Sequence, residues 1–237
     1  MKVYPAFLAL EGRPCLVVGG GAVGERKVLD LLAAGAAVTV VSPELTPRLQ
    51  ELAAAGRIRH LATIFSPNHL EGMFLVIGAT DDEATNRQIS AAAQAKKIPV
   101  NIVDAPALCT FIVPATIRRG ELTVAIGTGG RSPALAKKLR QELADYFGPE
   151  YINYLNILGT IRDMVLARRR DQPDNAAFFR RLVASNLLEL LRQRRLETLA
   201  QCLRDLLQEV LPPSEIQALV QEAVRQATAG MGEEVEV

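Results

Sequence analysis

Hydrophobic runs and amphipathic stretches alternate along the first 110 residues of the chain. Short apolar runs predict buried strands, and apolar residues at three- and four-residue spacing predict helices. The predicted strands are Cys15–Val18, Ala37–Val41, Arg57–Leu61, Phe74–Gly78 and Ile98–Val103. The predicted helices are Val23–Ala34, Thr46–Ala55 and Ala84–Lys96. This order is typical of an α/β domain with a parallel, doubly wound sheet.

The pattern changes near residue 112. Two β-rich runs, Phe111–Ile117 and Leu122–Ile126, are joined by a short link containing glycine, which predicts a hairpin. A helix over Ala134–Tyr146 follows, with Ser132 as its N-cap. The remainder has helical spacing throughout, which predicts helices near 151–170, 175–193, 195–210 and 213–229. We therefore expect three parts: a nucleotide-binding domain over 1–112, a hairpin-and-helix segment over 113–147, and an all-helical domain over 148–237.

The first βα turn carries a glycine motif. Gly19, Gly21 and Gly24 have G-x-G-x-x-G spacing between an apolar strand and an amphipathic helix. The first glycine permits a tight turn, the second lets the backbone approach a pyrophosphate, and the third lets the helix pack on its strand. The motif predicts a Rossmann-type dinucleotide site. The alternative is a structural glycine turn in a domain without a ligand.

Other strand ends add candidate contacts, because ligands of such sheets lie outside the carboxyl ends of the strands. Ser42 and Pro43 follow the second strand, where an acidic ribose ligand is often found. Ala79 and Thr80 follow the fourth strand; small side chains at Gly78 and Ala79 would leave room for the cofactor. The next two residues, 81 and 82, are both Asp, and we expect them to cap the following helix.

Asp104 follows the fifth predicted strand. Its place after an apolar run suggests partial burial, and a carboxylate there could act as a general base with a raised pKa. The alternative is a turn aspartate ahead of Ala105-Pro106. The position alone does not separate these two readings.

Composition narrows the class of protein. The chain has 237 residues, 49% of them hydrophobic, a formal net charge of +1, and three widely spaced cysteines that form no metal pattern. These features favour a cytoplasmic protein, with no metal site, no membrane span and no nucleic-acid partner. Residues 113–170 carry ten Lys or Arg against five Asp or Glu, which suits an anionic ligand or a solvated helix face. Arg118 and Arg119 lie in the predicted hairpin turn and are candidate ligand contacts, whereas Arg168–Arg170 end a later predicted helix and are expected to complement its dipole. The glycine-rich turn at 127–130 precedes a helix N-terminus and could bind an anion or serve as a flexible link.

Seven groups of residues, in order along the first 150 positions, resemble the precorrin-2 dehydrogenase / sirohydrochlorin ferrochelatase family, the N-terminal module of siroheme synthase. The matching residues are Tyr4-Pro5 with Phe7-Leu8, Cys15–Gly21 with Arg26-Lys27, Gly35-Ala36 with Val38–Pro43, Ala79–Asp81 with Asn86, Asn101–Pro106, Phe111–Ala115, and Gly129–Pro133 with Leu139-Arg140.

The resemblance implies dehydrogenation of precorrin-2 to sirohydrochlorin with NAD as hydride acceptor, and insertion of Fe²⁺ in relatives with a second activity. It further implies a homodimer held by the segment 113–147. Asp104 is the implied catalytic carboxylate. The expected cofactor contacts are Gly19, Gly21, Ala22, Val23, Gly24, Ser42, Pro43, Ala79 and Thr80. The expected substrate contacts are Asn101, Thr128, Arg131, Lys137 and Arg140.

Thr128 stands where a serine is commoner in the family, and it keeps the hydroxyl group. A different class of function remains open: a non-catalytic NAD(H)- or tetrapyrrole-binding regulator, which would need neither Asp104 nor a basic hairpin.

Overall fold

The computed structural model describes residues 2–169 and 173–229. The chain forms two compact units, and each of them is discontinuous in sequence. The first unit contains the described residues of Met1–Pro114 together with Thr128–Ser132. The second contains those of Ala115–Gly127 and Pro133–Val237.

The first unit is built on a five-stranded parallel sheet. Its strands are β1 (Pro14–Val18), β2 (Ala37–Val41), β3 (Arg59–Leu61), β4 (Leu75–Gly78) and β5 (Val100–Ile102). The spatial order is β3-β2-β1-β4-β5, so that β1 pairs with β2 on one side and with β4 on the other. The strand order therefore changes direction at the β1–β4 pair, and a ligand crevice is expected there.

Helices cover both faces of this sheet. They are α1 (Ala22–Ala33), α2 (Pro47–Ala54) and α3 (Glu83–Ala95), with short 3₁₀ turns at Pro67–Leu70 and Pro106–Leu108. Alternate residues of β1 enter different cores: Cys15 and Val17 pack with α1 and α2, whereas Leu16 and Val18 pack with α3. This two-sided burial explains why the strands are apolar throughout. The predicted Rossmann-type fold is confirmed.

The second unit begins with an antiparallel hairpin, β6 (Ala115–Arg119) and β7 (Leu122–Ile126), followed by α4 (Pro133–Tyr146). Gly120 opens the two-residue loop with a φ of +56°, which favours glycine. The strand predicted from Phe111 starts later, at Ala115. Pro114 has no N–H for a ladder, and the Phe111 carbonyl accepts a hydrogen bond from Asn101 at 3.1 Å.

Arg119 was expected in the hairpin turn, among cations available to a ligand. It instead ends β6 and binds carbonyl groups at the C-terminal end of α4 and just after it: its Nη2 donates to Ala144 O at 3.2 Å and its Nε to Phe147 O at 2.8 Å. A cation at this end of a helix also complements the helix dipole. The side chain therefore connects the hairpin to α4.

Five helices complete the second unit and enclose one apolar core. They are α5 (Glu150–Arg169), α6 (Asn175–Val183), α7 (Leu187–Arg192), α8 (Leu196–Leu207) and α9 (Pro213–Ala229). The single helix predicted near 175–193 is two helices, because Ser185 donates its hydroxyl to Leu182 O at 2.6 Å and the helix ends there. Within the described residues, no helix is both long enough and apolar enough to cross a membrane.

Candidate functional site

A cleft of about 600 Å³ lies at the carboxyl ends of β1, β2 and β4 in the first unit. This is where an open parallel sheet places its ligand, and the volume is in the range of small-molecule sites. The N-terminus of α1 opens into it, which favours an anionic group. The lining residues are Val18, Gly19, Gly20, Gly21, Ala22, Val23, Val41, Ser42, Pro43, Thr63, Ile64, Phe65, Ala79, Thr80, Asp81, Asp82 and Thr85.

Each of the three motif positions requires glycine for a different structural reason. Gly19 has a φ of +113°, and a methyl group added there would lie 2.2 Å from the Ala79 carbonyl oxygen. A methyl group at Gly24 would lie 2.1 Å from the Gly19 carbonyl oxygen, so this glycine permits α1 to pack on β1. A methyl group at Gly21 would meet no protein atom within 4 Å. Its space is part of the cleft, as expected for the glycine beside a pyrophosphate.

The end of β2 forms the second wall of the cleft. Ser42 and Pro43 line it, as predicted. The backbone here is fixed by β3, since Ser42 N donates to Leu61 O at 3.2 Å and the His60 ring nitrogen Nε2 lies 2.9 Å from Ser42 O. The strand end is therefore held firmly although it carries no acidic ribose ligand.

The end of β4 forms the third wall, and its predicted residues Ala79 and Thr80 line the cleft. The Asn86 side chain donates to Thr80 O at 2.9 Å and fixes this turn. Gly78 was expected to leave space for the cofactor, but an added methyl group would lie 2.6 Å from Ile102 Cδ1. Its small size serves packing between β4 and β5.

Asp82 caps α3 as predicted, accepting hydrogen bonds from Ala84 N at 3.2 Å and Thr85 N at 3.0 Å. Hydrogen bonds from the hydroxyl and amide of Thr85, and from Ala84 N, hold the pKa of the Asp82 carboxyl below its ordinary value. Asp82 and its neighbour Asp81 also line the cleft. These two carboxylates are the charged groups among its described lining residues.

Asp104 lies in a turn directly after β5, with the left-handed backbone φ of +58°. Few residues other than glycine adopt this conformation, and such residues cluster at functional sites. The side chain is exposed, in contrast to the partial burial expected from the sequence. Asp104 is not one of the residues lining the cleft.

The buried Cys109 thiol braces the Asp104 turn. Its sulfur accepts a hydrogen bond from Ile102 N at 3.1 Å, and the thiol reaches the carbonyl oxygens of Ile102 at 3.2 Å and Ala105 at 3.3 Å. Burial raises the pKa of this thiol, although the bond from Ile102 opposes the shift. Cys109 therefore contacts the backbone on both sides of Asp104.

Some of the expected substrate contacts already have structural partners. The Asn101 amide donates to Phe111 O at 3.1 Å, and the Thr128 hydroxyl bonds to Ser132 N at 3.3 Å and Ser132 O at 3.2 Å. Arg131, in the first unit, is exposed.

The remaining cations lie in the second unit. Lys137 is exposed and Arg140 half-buried, both on α4. Arg168, in the run expected to complement a helix dipole, lies in the last turn of α5 and also binds Glu215, with Nε 3.2 Å from Oε2. Arg170 lies outside the described residues. Among the described residues, no group of three or more His, Cys, Asp or Glu side chains is arranged to hold a metal ion.

The loop after β3 is part of the cleft that the sequence did not predict. Thr63, Ile64 and Phe65 line it. Phe65 is buried in the α3-side core, whereas 75% of the Ile64 surface is exposed. The topology offers a signal for this loop. It follows β3, which lies beside β2 in a parallel sheet, and it therefore begins at the same carboxyl edge of the sheet.

Comparisons with known proteins agree with this geometry. Residues 6–115 match a family model for NAD(P)-binding domains, and residues 119–146 match one for the central part of siroheme biosynthesis proteins. A siroheme synthase of Methylobacillus flagellatus is 51% identical over 168 residues, which are 71% of this chain and 36% of the relative. Over these residues the chain is homologous to the siroheme synthases.

A second relative, the siroheme synthase of Thioalkalivibrio sulfidiphilus, is 43% identical over 190 residues, or 80% of this chain and 39% of the relative. The matches thus span less than half the length of these siroheme synthases. A solved structure titled "SirC, precorrin-2 dehydrogenase" matches with a TM-score of 0.63 and 25% identity, covering 96% of this chain and 100% of that chain.

The two family models correspond to different parts of the structure. The NAD(P)-binding model contains the whole cleft and Asp104. The siroheme biosynthesis model contains β7 and α4, with Arg131, Lys137 and Arg140. The NAD(P)-binding match thus covers every described residue that lines the cleft, and eight of the nine predicted cofactor contacts line it. The ninth, Gly24, is not a lining residue and instead permits α1 to pack on β1.

Proposed function

We propose that this protein catalyses the NAD-dependent dehydrogenation of precorrin-2 to sirohydrochlorin in siroheme biosynthesis. The observation that carries the proposal is the match to SirC, a precorrin-2 dehydrogenase, over the full length of that chain. The identity with siroheme synthases over most of this chain supports the same pathway. An open cleft with a glycine turn at a helix N-terminus supports the cofactor.

The reaction removes two hydrogens from the reduced tetrapyrrole. Bound NAD⁺ supplies the hydride acceptor, and a proton leaves the substrate carbon skeleton, so the products are sirohydrochlorin, NADH and H⁺. The protein must hold the dinucleotide in place, orient the tetrapyrrole and accept one proton. Gly21 and the α1 N-terminus are suited to hold the pyrophosphate, because both line the open cleft and a methyl group added at Gly21 would meet no protein atom within 4 Å.

Asp104 is the group proposed to accept the proton. It follows β5, which pairs with β4, whose end lines the cleft. Carboxyl ends of neighbouring parallel strands meet at one edge of a sheet. The left-handed backbone of Asp104 and the thiol brace beneath its turn support a role that needs a fixed orientation.

NAD rather than NADP is the proposed cofactor. NADP sites commonly place an arginine near the ribose 2′-phosphate. Among the described residues that line the cleft there is no Lys, Arg or His, while Asp81 and Asp82 are acidic. A 2′-phosphate would meet these negative charges without a compensating cation.

The tetrapyrrole is an anion, since it carries carboxylate side chains. We assign the binding of its carboxylates to the basic residues Arg131, Lys137 and Arg140. Thr128 and Asn101 are assigned as polar contacts. The exposure of Arg131 and Lys137 supports this, because their charges are available to a ligand. Asn101, on β5, and Thr128 also fix the backbone at Phe111 and at Ser132 through the hydrogen bonds they already make.

The test is anaerobic oxidation of precorrin-2, followed by the absorption of NADH and of sirohydrochlorin. We expect wild-type turnover with NAD⁺, and a loss of about 100-fold or more in kcat for Asp104→Asn with NADH affinity unchanged. Asp30→Asn, an exposed carboxylate on α1, is the matched control and should keep full activity. Wild-type protein that binds NADH yet never oxidises precorrin-2 would favour the regulator instead. Full activity in Asp104→Asn would remove Asp104 from the mechanism.

Ferrochelation is a separate proposal, with Fe²⁺ as a substrate and Asp104 accepting pyrrole protons. Purified protein mixed with sirohydrochlorin and Fe²⁺ should form siroheme faster than the same mixture without protein. Equal rates in both would reject this activity without affecting the dehydrogenase.

A homodimer in the cytoplasm completes the proposal, with residues 113–147 as the contact. The hairpin β6–β7 is a two-stranded sheet, and unpaired strand edges readily pair with another chain. The 60% exposure of Tyr146 adds apolar surface in the same segment. Light scattering coupled to gel filtration should give twice the chain mass, and cell fractionation should recover the protein with cytoplasmic markers.

A further inference from the structure

Ile64 is the large apolar side chain of the cofactor cleft that remains mostly exposed. Its surface is 75% accessible, whereas Val18, Val41 and Phe65 in the same lining are nearly fully buried. The loop that carries it is anchored at both sides: Thr63 N donates to Leu61 O at 2.8 Å, and Phe65 is packed into the core. Ile64 is thus held at the cleft by its neighbours and has little contact of its own.

The strand order indicates which half of a dinucleotide would reach this loop. In such sheets the pyrophosphate lies at the turn after the first strand, and the adenosine ribose lies at the end of the second. Here these positions are Gly21 and Ser42, and β3 lies on the far side of β2 from β1. The loop after β3 therefore follows the ribose position on the adenosine side, while Asp104, after β5, is on the opposite side of β1.

We propose that Ile64 covers the adenine ring of the bound dinucleotide and is a specificity-determining contact for the adenosine half. A flat aromatic base and an exposed branched aliphatic side chain gain by removing each other's apolar surface from water. The proposal rests on the dinucleotide site used in the proposed function, and not on the identity of the tetrapyrrole.

The contact is remote from the reacting ring, and this determines its kinetic signature. An interaction that is equally strong in the ground state and the transition state lowers KM without raising kcat. Removing it should therefore raise KM for NAD⁺ and leave kcat nearly unchanged. Asp104→Asn should produce the opposite result.

The experiment measures binding directly, by NADH fluorescence and by competition with ADP-ribose, on wild type and Ile64→Ser. We expect dissociation constants for both ligands to rise about tenfold, the amount expected when a partly buried aliphatic contact is lost. Ile64→Leu should stay within about twofold of wild type, because it keeps the apolar surface. Val183→Ser, which changes another exposed branched side chain on α6, is the matched control and should bind normally.

Unchanged NADH affinity in Ile64→Ser would overturn the proposal. A loss for NADH without a matching loss for ADP-ribose would also overturn it, since the contact would then be on the nicotinamide half. If the wild type binds NADH but does not oxidise precorrin-2, the proposed function fails while these affinities still decide the role of Ile64. Equal melting temperatures of the variants would confirm that binding, and not folding, has changed.

Discussion

Gly21→Ala should separate cofactor binding from folding within the glycine turn. A methyl group at this position meets no protein atom within 4 Å, and the backbone φ of −80° is open to alanine. Replacing glycine at a compatible position stabilises a protein by about 0.4–1 kcal/mol, because the unfolded chain loses freedom. The folded protein should therefore be as stable as wild type or slightly more so.

The same methyl group would occupy the space assigned to the pyrophosphate. Forcing an extra methyl group into a packed contact costs about 1–3 kcal/mol, which corresponds to about a 5- to 150-fold loss of affinity. We expect NADH titrations to show a loss in this range while thermal melting shows none. Wild-type NADH affinity in Gly21→Ala would refute the assignment of this space to the cofactor.

Gly24→Ala is the matched comparison, since it adds the same methyl group three residues away. There the new carbon would lie 2.1 Å from the Gly19 carbonyl oxygen, so α1 must shift from its strand. Stability should fall by about 1–3 kcal/mol or more, with binding lost as a consequence. Equal melting temperatures of the two variants would contradict the different reasons given for the two glycines.

Two further predictions concern stability. Arg119→Ala should lower the free energy of unfolding by about 1–3 kcal/mol in urea titrations, because the bonds to Phe147 O and Ala144 O are lost, whereas the exposed Arg118→Ala should change it little. Asp82→Asn keeps a good N-cap but cannot titrate. Because the pKa of Asp82 is lowered in the folded state, its ionised form contributes stability above its ordinary value of 3.8, and this is lost as the pH falls through the lower folded value. The stability advantage of wild type over Asp82→Asn should accordingly be constant near neutral pH and shrink in acid; an advantage that grew in acid would contradict the assigned direction.

The sheet and the core of the site were predictable because their signals are local. The glycine spacing at Gly19–Gly24 and the apolar strands each depend on a few consecutive residues. Strand ends then follow from the topology, which is why Ser42, Ala79 and Thr80 were placed correctly in the cleft. The Asp82 cap likewise needed only its immediate neighbours.

The features that escaped prediction depend on contacts distant in sequence. Ile64 belongs to the site only because β3 lies beside β2, and the sequence of that loop has no cofactor signature. Arg119 was predicted from its charge to be available to a ligand, but its side chain hydrogen-bonds to carbonyl groups that lie 25 and 28 residues further along the chain. Asp104 is exposed although an apolar strand precedes it, since its backbone turns to φ +58° directly after β5.

The path of the chain between the two units also limits how the protein can be divided. The polypeptide changes unit three times, after Pro114, after Gly127 and after Ser132. No single cut therefore yields both units intact: a fragment ending at Pro114 lacks Thr128–Ser132, and a fragment beginning at Pro133 lacks the hairpin. An exchange of one whole unit must be designed with three junctions, after Pro114, Gly127 and Ser132, and recombination at any single point in this gene divides at least one of the two units.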